Sequence, residues 1–150
     1  MTTEENWRQR AARLAFRVML SGIFLVAGAN HLFRTGAIVG RLEQAPYAGW
    51  ATSLAPPEWL VLAAGVALLA GGLSLLVGLA TRRTAVGLFL VVITITVTVQ
   101  LEGLETLGPL FKNIGLMGGL VYFATHGARS WSVDELRRGR PPAEQPRTTH

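Results

Sequence analysis

The sequence contains no cysteine, and this absence removes several kinds of chemistry. The chain can form no disulfide, supply no thiol nucleophile and hold no cysteine-ligated metal. It also lacks a Ser-His-Asp set, a Walker loop and a dinucleotide fingerprint. There is thus no self-contained catalytic motif, catalytic residues are unknown, and whether the chain is itself an enzyme stays open. No cofactor is intrinsic, so a redox step would need a bound cofactor or another subunit.

Charged residues are also scarce between Leu14 and His126, where long apolar runs dominate. Half of the 150 residues are hydrophobic, and runs of about 20 apolar residues match the roughly 30 Å hydrocarbon core of a bilayer. A soluble domain would instead alternate polar and apolar faces along its helices. The length suits one domain. The sequence therefore predicts an all-α fold, an integral membrane four-helix bundle with the lipid bilayer as its first partner.

The formal net charge of +5 comes from arginines that crowd the tails and one short turn. They lie on no single stripe, so we expect no nucleic-acid partner. By the positive-inside rule the amino tail, the turn with Arg82 and Arg83, and the carboxyl tail share one side of the membrane. Both termini are then cytoplasmic in a multi-pass protein. We interpret Arg17 as a topology residue whose side chain snorkels to the inner headgroups.

Four apolar segments predict the membrane spans. We expect a membrane domain over residues 14–136, with spans at about 14–33, 59–79, 84–101 and 110–126. Residues 1–13 form a polar cytoplasmic lead, and residues 137–150, rich in Arg and Pro, form a disordered cytoplasmic tail. A signal peptide is the alternative interpretation of the first thirty residues. We discount it because the apolar run is too long and no small-residue cleavage site follows.

Local patterns add detail to three segments. Ala37–Gln44 predicts a short interfacial helix before the Pro56-Pro57 pair, which pre-sets the start of the second span. The run VVITITVTV in the third span alternates like a strand. A lone strand would leave its backbone unpaired in lipid, so we predict a helix whose threonines bond back to its own carbonyls. The second span carries a face of small residues suited to close helix packing, namely Ala64, Ala67, Gly71, Ser74 and Gly78.

Polar residues converge at the predicted outer ends of the helices. Lys112 and Asn113 lie inside the fourth span, where a cation and an amide need bonding partners, water or a functional role. The candidate binding residues are Asn30, His31, Arg34, Gln100, Glu102, Glu105, Lys112 and Asn113. One interpretation is a shared pocket for a polar headgroup or a small anion, in which Lys112 faces the bundle and pairs with a span-three glutamate. The alternative is a set of ordinary interface residues solvated by headgroups, with Lys112 paired to Glu102 or Glu105. His31 has no second histidine at i+3 or i+4, so we predict no metal site.

Three stretches resemble one known family. RVMLSGIFLVAGANHLF is similar to the first span of the DoxX family, GLATRRTAVGL to its turn between spans two and three, and LFKNIGLMGGLVYFATHGARSWSVDEL to its last span. Lys112 and Asn113 match the last-span motif position by position. His31 stands where many relatives are expected to have lysine, so an anion-binding role is not carried over to it.

The resemblance implies a four-helix protein of the bacterial or archaeal inner membrane, in a family often assigned to oxidoreductases. Relatives include small subunits of a thiosulfate:quinone oxidoreductase. The first functional hypothesis is therefore a membrane subunit of a quinone-linked redox complex, with quinone as the cofactor and a membrane or peripheral redox partner. The alternative is a non-enzymatic scaffold or assembly factor for another membrane protein, and a small-solute transporter is third. A homo-oligomer is compatible with each.

Overall fold

The computed structural model describes residues 3–45, 47–99, 107–128 and 131–137, and these residues form an all-α bundle. Four helices are long: α1 (Thr3–Phe33), α4 (Pro57–Val77), α5 (Thr81–Val99) and α6 (Leu107–His126). Three are short: α2 (Thr35–Glu43), α3 (Ala48–Thr52) and α7 (Val133–Arg137). Over the described ranges the chain has no strand, so the predicted all-α class is confirmed.

The helix bounds follow the predicted segments with shifts that have local causes. From Thr3 onward the predicted polar lead is helical and continuous with the rest of α1. Helix α4 begins at Pro57 with Pro56 as its N-cap, and after Val77 it is capped by Gly78 in a left-handed conformation (φ 71°). The predicted interfacial helix is α2. The predicted tail from residue 138 onward lies outside the described residues, while Arg137 still belongs to α7.

The alternating run in the third span is helical, as the lipid argument predicts. Thr94, Thr96 and Thr98 each donate a hydroxyl hydrogen bond to the carbonyl four residues earlier, at 2.7–2.8 Å. These bonds satisfy hydroxyl groups that would otherwise be costly in an apolar setting. β-branched residues are thus accommodated because the backbone bonds of the helix are internal.

Three of the described helices are long and apolar enough to cross a membrane: Trp7–Phe33, Pro57–Val77 and Thr81–Val99. Helix α6 is 20 residues long but is not among them. Its first half contains Lys112 and Asn113, which lower its hydropathy. The three apolar helices identify a multi-pass membrane protein, and the fourth span stays a prediction.

The long helices pack against each other in chain order: α1 contacts α4, α4 contacts α5 and α5 contacts α6. The core lies between them. Its centre is a set of almost fully buried side chains from all four long helices: Phe24, Leu68, Leu75, Leu88, Leu120 and Phe123. A smaller cluster of Leu42, Ala48 and Val61 seats the short helices α2 and α3 on the end of α4. Through this second cluster, α2 and α3 cover one end of the bundle.

Glycines allow α1 and α4 to approach closely. A Cβ placed on Gly65 would lie 2.8 Å from the Cβ of His31, and one on Gly28 would lie 2.9 Å from the carbonyl oxygen of Gly65. On the predicted small-residue face, a Cβ placed on Gly71 would lie 2.6 Å from the Leu88 side chain of α5. The predicted face therefore does allow close packing, while the close approach of α1 and α4 at His31 uses Gly65, a glycine that the pattern did not include.

The opposite end of the bundle is closed by the segment that follows α6. The Asp134 carboxylate accepts the backbone N–H groups of Ala80 (2.7 Å) and Thr81 (2.8 Å), which begin α5, and the Asp134 N–H donates to the Gly78 carbonyl (2.9 Å). Glu135 forms an ion pair with Arg10, in which Oε1 of Glu135 lies 3.1 Å from Nη2 of Arg10. The segment therefore ties the ends of α1, α4 and α5 together.

Arg17 lies beneath this segment and is only 3% exposed, so the interpretation that it snorkels to the headgroups is wrong. Its Nη2 donates to the Trp131 carbonyl oxygen at 2.7 Å, and the carboxylates of Asp134 and Glu135 interact with it electrostatically. A buried guanidinium is stable only with such partners. Sequence reasoning missed this role because Trp131, Asp134 and Glu135 all lie more than 100 residues away from Arg17 in the chain.

Candidate functional site

A cavity of about 460 Å³ opens among the helices at the end opposite the Asp134 segment. Apolar side chains of α1, α4 and α5 make most of its wall, including Phe24, Leu68 and Val92. The polar lining comes from four elements, α1, α2, α5 and α6, and consists of Asn30, His31, Arg41, Thr94, Thr98, Lys112 and Asn113. The volume falls within the range of about 300–1,000 Å³ that is typical of ligand pockets, as does the combination of apolar walls with a few polar groups.

His31 lies at the end of α1 with its ring held in one orientation. Its Nδ1 is 2.8 Å from the Ala27 carbonyl oxygen, one turn earlier in the helix. A carbonyl only accepts, so Nδ1 carries the hydrogen of this bond. In the neutral ring Nε2 is then an acceptor, which suits a hydroxyl group of a ligand better than a carbonyl.

Asn113 is 6% exposed and is oriented by the third span. Its Nδ2 donates to Thr96 Oγ1 at 2.8 Å, and that hydroxyl donates in turn to the Val92 carbonyl at 2.7 Å. The bond joins α5 to α6 inside the bundle, where an amide without partners would be costly. The amide predicted as a site residue therefore also holds the fourth helix in place.

Lys112 lines the cavity, yet its side chain remains exposed. The ammonium group thus belongs to the mouth of the cavity rather than to its floor. Arg41 of α2 is also exposed and lines the same cavity. Among the described lining residues two are cationic and none is acidic, so the mouth favours a ligand group that accepts hydrogen bonds or carries negative charge.

The structure brings together four of the eight predicted site residues: Asn30, His31, Lys112 and Asn113. Arg34 is exposed and lies outside the cavity lining, where Arg41 takes its place as the α2-side cation. Gln100, Glu102 and Glu105 lie outside the described residues, and with them the predicted pairing of Lys112 with a glutamate. The lining also contains three residues that were not among the predicted site residues: Thr94, Thr98 and Arg41. Arg41 belongs to the predicted helix 37–44, but the sequence gives no signal that this helix folds back over the cavity.

The polar side chains of the lining limit which ligands the cavity can hold. In the described ranges no three His, Asp or Glu side chains are grouped as a metal site would require. The described lining instead offers one ammonium, one guanidinium, one imidazole, two amides and two hydroxyls around an apolar space. A quinone has flat apolar faces, two carbonyl acceptors and an apolar chain, so these residues fit its head.

Comparison with known proteins supports the family resemblance. The DoxX family model matches residues 12–101, which is more than half of the chain. The matched segment runs from α1 through α5; it includes Asn30 and His31 and ends before Lys112. No curated protein and no solved structure matches the chain. The resemblance of the first span and of the middle turn is thereby confirmed, and the chain belongs to the DoxX family.

Proposed function

We propose that this protein is the membrane subunit of a quinone-linked oxidoreductase complex and that the cavity holds the quinone head. The observation that carries the proposal is the cavity itself: an apolar space whose described polar lining is rich in donors and has no carboxylate. Such a lining suits carbonyl oxygens, which only accept hydrogen bonds. Membership of the DoxX family agrees with this proposal, because the resemblance implies redox work in a membrane.

Each polar residue has a distinct task in this proposal. Lys112 at the mouth donates to one carbonyl oxygen of the ring. The Nδ1–H group of His31 donates to the Ala27 carbonyl, so Nε2 accepts a hydrogen bond from a hydroxyl of the reduced quinone. Asn113, positioned by Thr96, borders the head from α6. The apolar wall, including Phe24 and Leu68, excludes water from the ring.

A quinone supplies the capacity to accept two electrons and two protons. The chain has no cysteine, and the residues that line the cavity would bind and orient the head rather than deliver electrons. The electron donor in this proposal therefore belongs to a partner protein, and removal of that partner should abolish quinone reduction. The arginine distribution supports an inner-membrane orientation with cytoplasmic termini and the cavity at the outer ends of the helices.

The first experiment measures quinone in protein purified with a mild detergent from the native membrane. We expect quinone near one molecule per chain, quantified by mass spectrometry. Lys112→Ala removes a charge-assisted hydrogen bond worth about 1.5–3 kcal/mol. Because Lys112 is exposed, we take the lower end, which is roughly a tenfold weaker affinity. The matched control is Arg82→Ala, which removes an exposed cation at the opposite end of the bundle.

The outcomes separate the candidate functions. Unchanged quinone content in Lys112→Ala would contradict the assignment of the head to this cavity. Wild-type protein without quinone, but with a co-purifying membrane protein, would favour the scaffold or assembly function. Accumulation of a solute in reconstituted vesicles would favour the transporter.

A further inference from the structure

The contact between α1 and α6 differs along its length. Near the closed end of the bundle, side chains fill the space between these helices. The Phe16 ring stacks on Phe123 with centroids 5.3 Å apart and tilts against Tyr122 at 5.8 Å. A Cβ on Gly119 would meet Phe16 at 3.1 Å and Leu20 at 3.2 Å. In this half the two helices are sealed against each other.

One turn further along the same face of α6 the space is empty. Residues 112, 115, 119 and 122 share this face by helical spacing. A Cβ on Gly115 would meet no atom within 4 Å, whereas one on Gly119 meets two side chains of α1. On α1 the matching residues Ile23 and Asn30 are exposed, Ile23 at 42%. The two helices therefore leave an opening between them in the half that contains the cavity.

Both edges of this opening also line the cavity. Ile23, Ala27 and Asn30 contribute from α1, and Lys112, Asn113 and Leu116 from α6. On its outer side, the opening is flanked by exposed apolar side chains of the same helices, such as Val26 (63%) and Ile114 (48%). Apolar flanks at this level of a membrane protein face acyl chains. The opening thus joins the cavity to the hydrocarbon region.

We infer that the cavity takes its ligand from the bilayer through the opening between α1 and α6, and that this ligand is an amphiphile. Its head reaches the polar groups of Lys112 and His31, while its apolar chain lies in the opening beside Gly115. This inference rests on the proposed function and narrows it to a long-chain quinone. The apolar opening would give no advantage to a water-soluble solute, since such a solute would reach the cavity from its aqueous mouth.

Two glycines of α6 provide a matched test. Gly115 and Gly118 are both exposed, and a Cβ on either meets nothing within 4 Å. Only Gly115 lies on the face that meets α1. Gly115→Trp should fill the opening, and Gly118→Trp should place the same ring in lipid. Gly115→Leu, a smaller filler, should have an intermediate effect and guards against a folding defect in the tryptophan variant.

The measurement is the amount of each amphiphile retained per chain after mild-detergent purification, by mass spectrometry of quinones and phospholipids. We expect at least a tenfold loss in Gly115→Trp and wild-type retention in Gly118→Trp, with a monodisperse elution profile for both. Loss of a retained phospholipid, with no quinone in the wild type, would support the opening and refute the quinone head. Equal retention in Gly115→Trp and wild type would overturn the opening while leaving a quinone site intact. Wild-type protein that retains neither class would overturn both.

Discussion

Replacing Asp134 with alanine should destabilise the closed end of the bundle. The Asp134 carboxylate accepts two backbone N–H groups at the start of α5, from Ala80 at 2.7 Å and Thr81 at 2.8 Å. It also interacts electrostatically with the buried Arg17. Ala80 has a left-handed backbone (φ 46°), which is unfavourable for a residue with a Cβ. The carboxylate therefore holds a strained turn and satisfies a helix end at the same time.

The expected magnitude follows from these contacts. Loss of a helix cap costs about 0.5–2 kcal/mol, and a hydrogen bond to a charged group is worth about 1.5–3 kcal/mol. The bond from Ala80 is exposed and that from Thr81 is partly buried, so the two do not add in full. We expect a loss of about 2–4 kcal/mol. For a chain of this size that lowers Tm by on the order of 10 °C.

Thermal unfolding of the purified protein in detergent, followed by tryptophan fluorescence and helical circular dichroism, measures this change. Asp134→Asn keeps the size of the side chain and one acceptor oxygen, so its Tm should fall about half as far. Glu43→Ala is the control, because it removes an exposed carboxylate at the end of α2; we expect a change within about 0.5 kcal/mol. A Tm for Asp134→Ala within 1–2 °C of wild type, by rough instrumental precision, would refute the assignment of the cap.

Two further changes test the helix contacts. Gly65→Ala should destabilise the bundle by roughly 1–3 kcal/mol, because its Cβ would lie 2.8 Å from a side chain of α1, whereas Gly87→Ala, with open space at its Cβ, should stabilise it by about 0.5–1 kcal/mol; opposite signs in the same melting assay are the check. Thr96→Val should cost about 1 kcal/mol by leaving the Asn113 amide without its hydroxyl acceptor, and combining it with Asn113→Leu should be less than additive by a similar amount. A strictly additive double variant would contradict the bond between α5 and α6.

The two ends of the bundle are built differently, and this difference has a functional consequence. At one end Asp134 and Glu135 tie three helices together around Arg17. At the other end the helices are spread around the cavity under α2 and α3. The bonds of Asp134 and Glu135 connect α1 and the start of α5 to the segment after α6, and so help to fix the positions of the helices that border the cavity. We therefore expect Asp134→Ala to weaken ligand retention as well as stability.

Part of the candidate site was predictable because helical spacing and topology are local properties. Lys112 and Asn113 stand out as polar residues in an apolar span, and an antiparallel arrangement places the start of one helix beside the end of another. Asn30 and His31 follow from the same topology. The choice between Arg34 and Arg41 was not predictable, because it depends on how α2 folds back over the end of the bundle. That fold-back is set by the packing of Leu42 on Val61, a contact between side chains distant in the chain.

The sequence by itself determined the class of the molecule. The hydrocarbon region contains no water to satisfy backbone groups, so long apolar runs must be helices, and this holds even for VVITITVTV. Only the tertiary structure decided which faces meet. Gly65, which lies outside the predicted small-residue face, packs closely against α1, and Arg17 is buried rather than snorkelling. The contact between α1 and α6 opens between Gly119 and Gly115. Those outcomes depend on side-chain shapes and on distant hydrogen-bond partners, which periodicity and hydropathy do not encode.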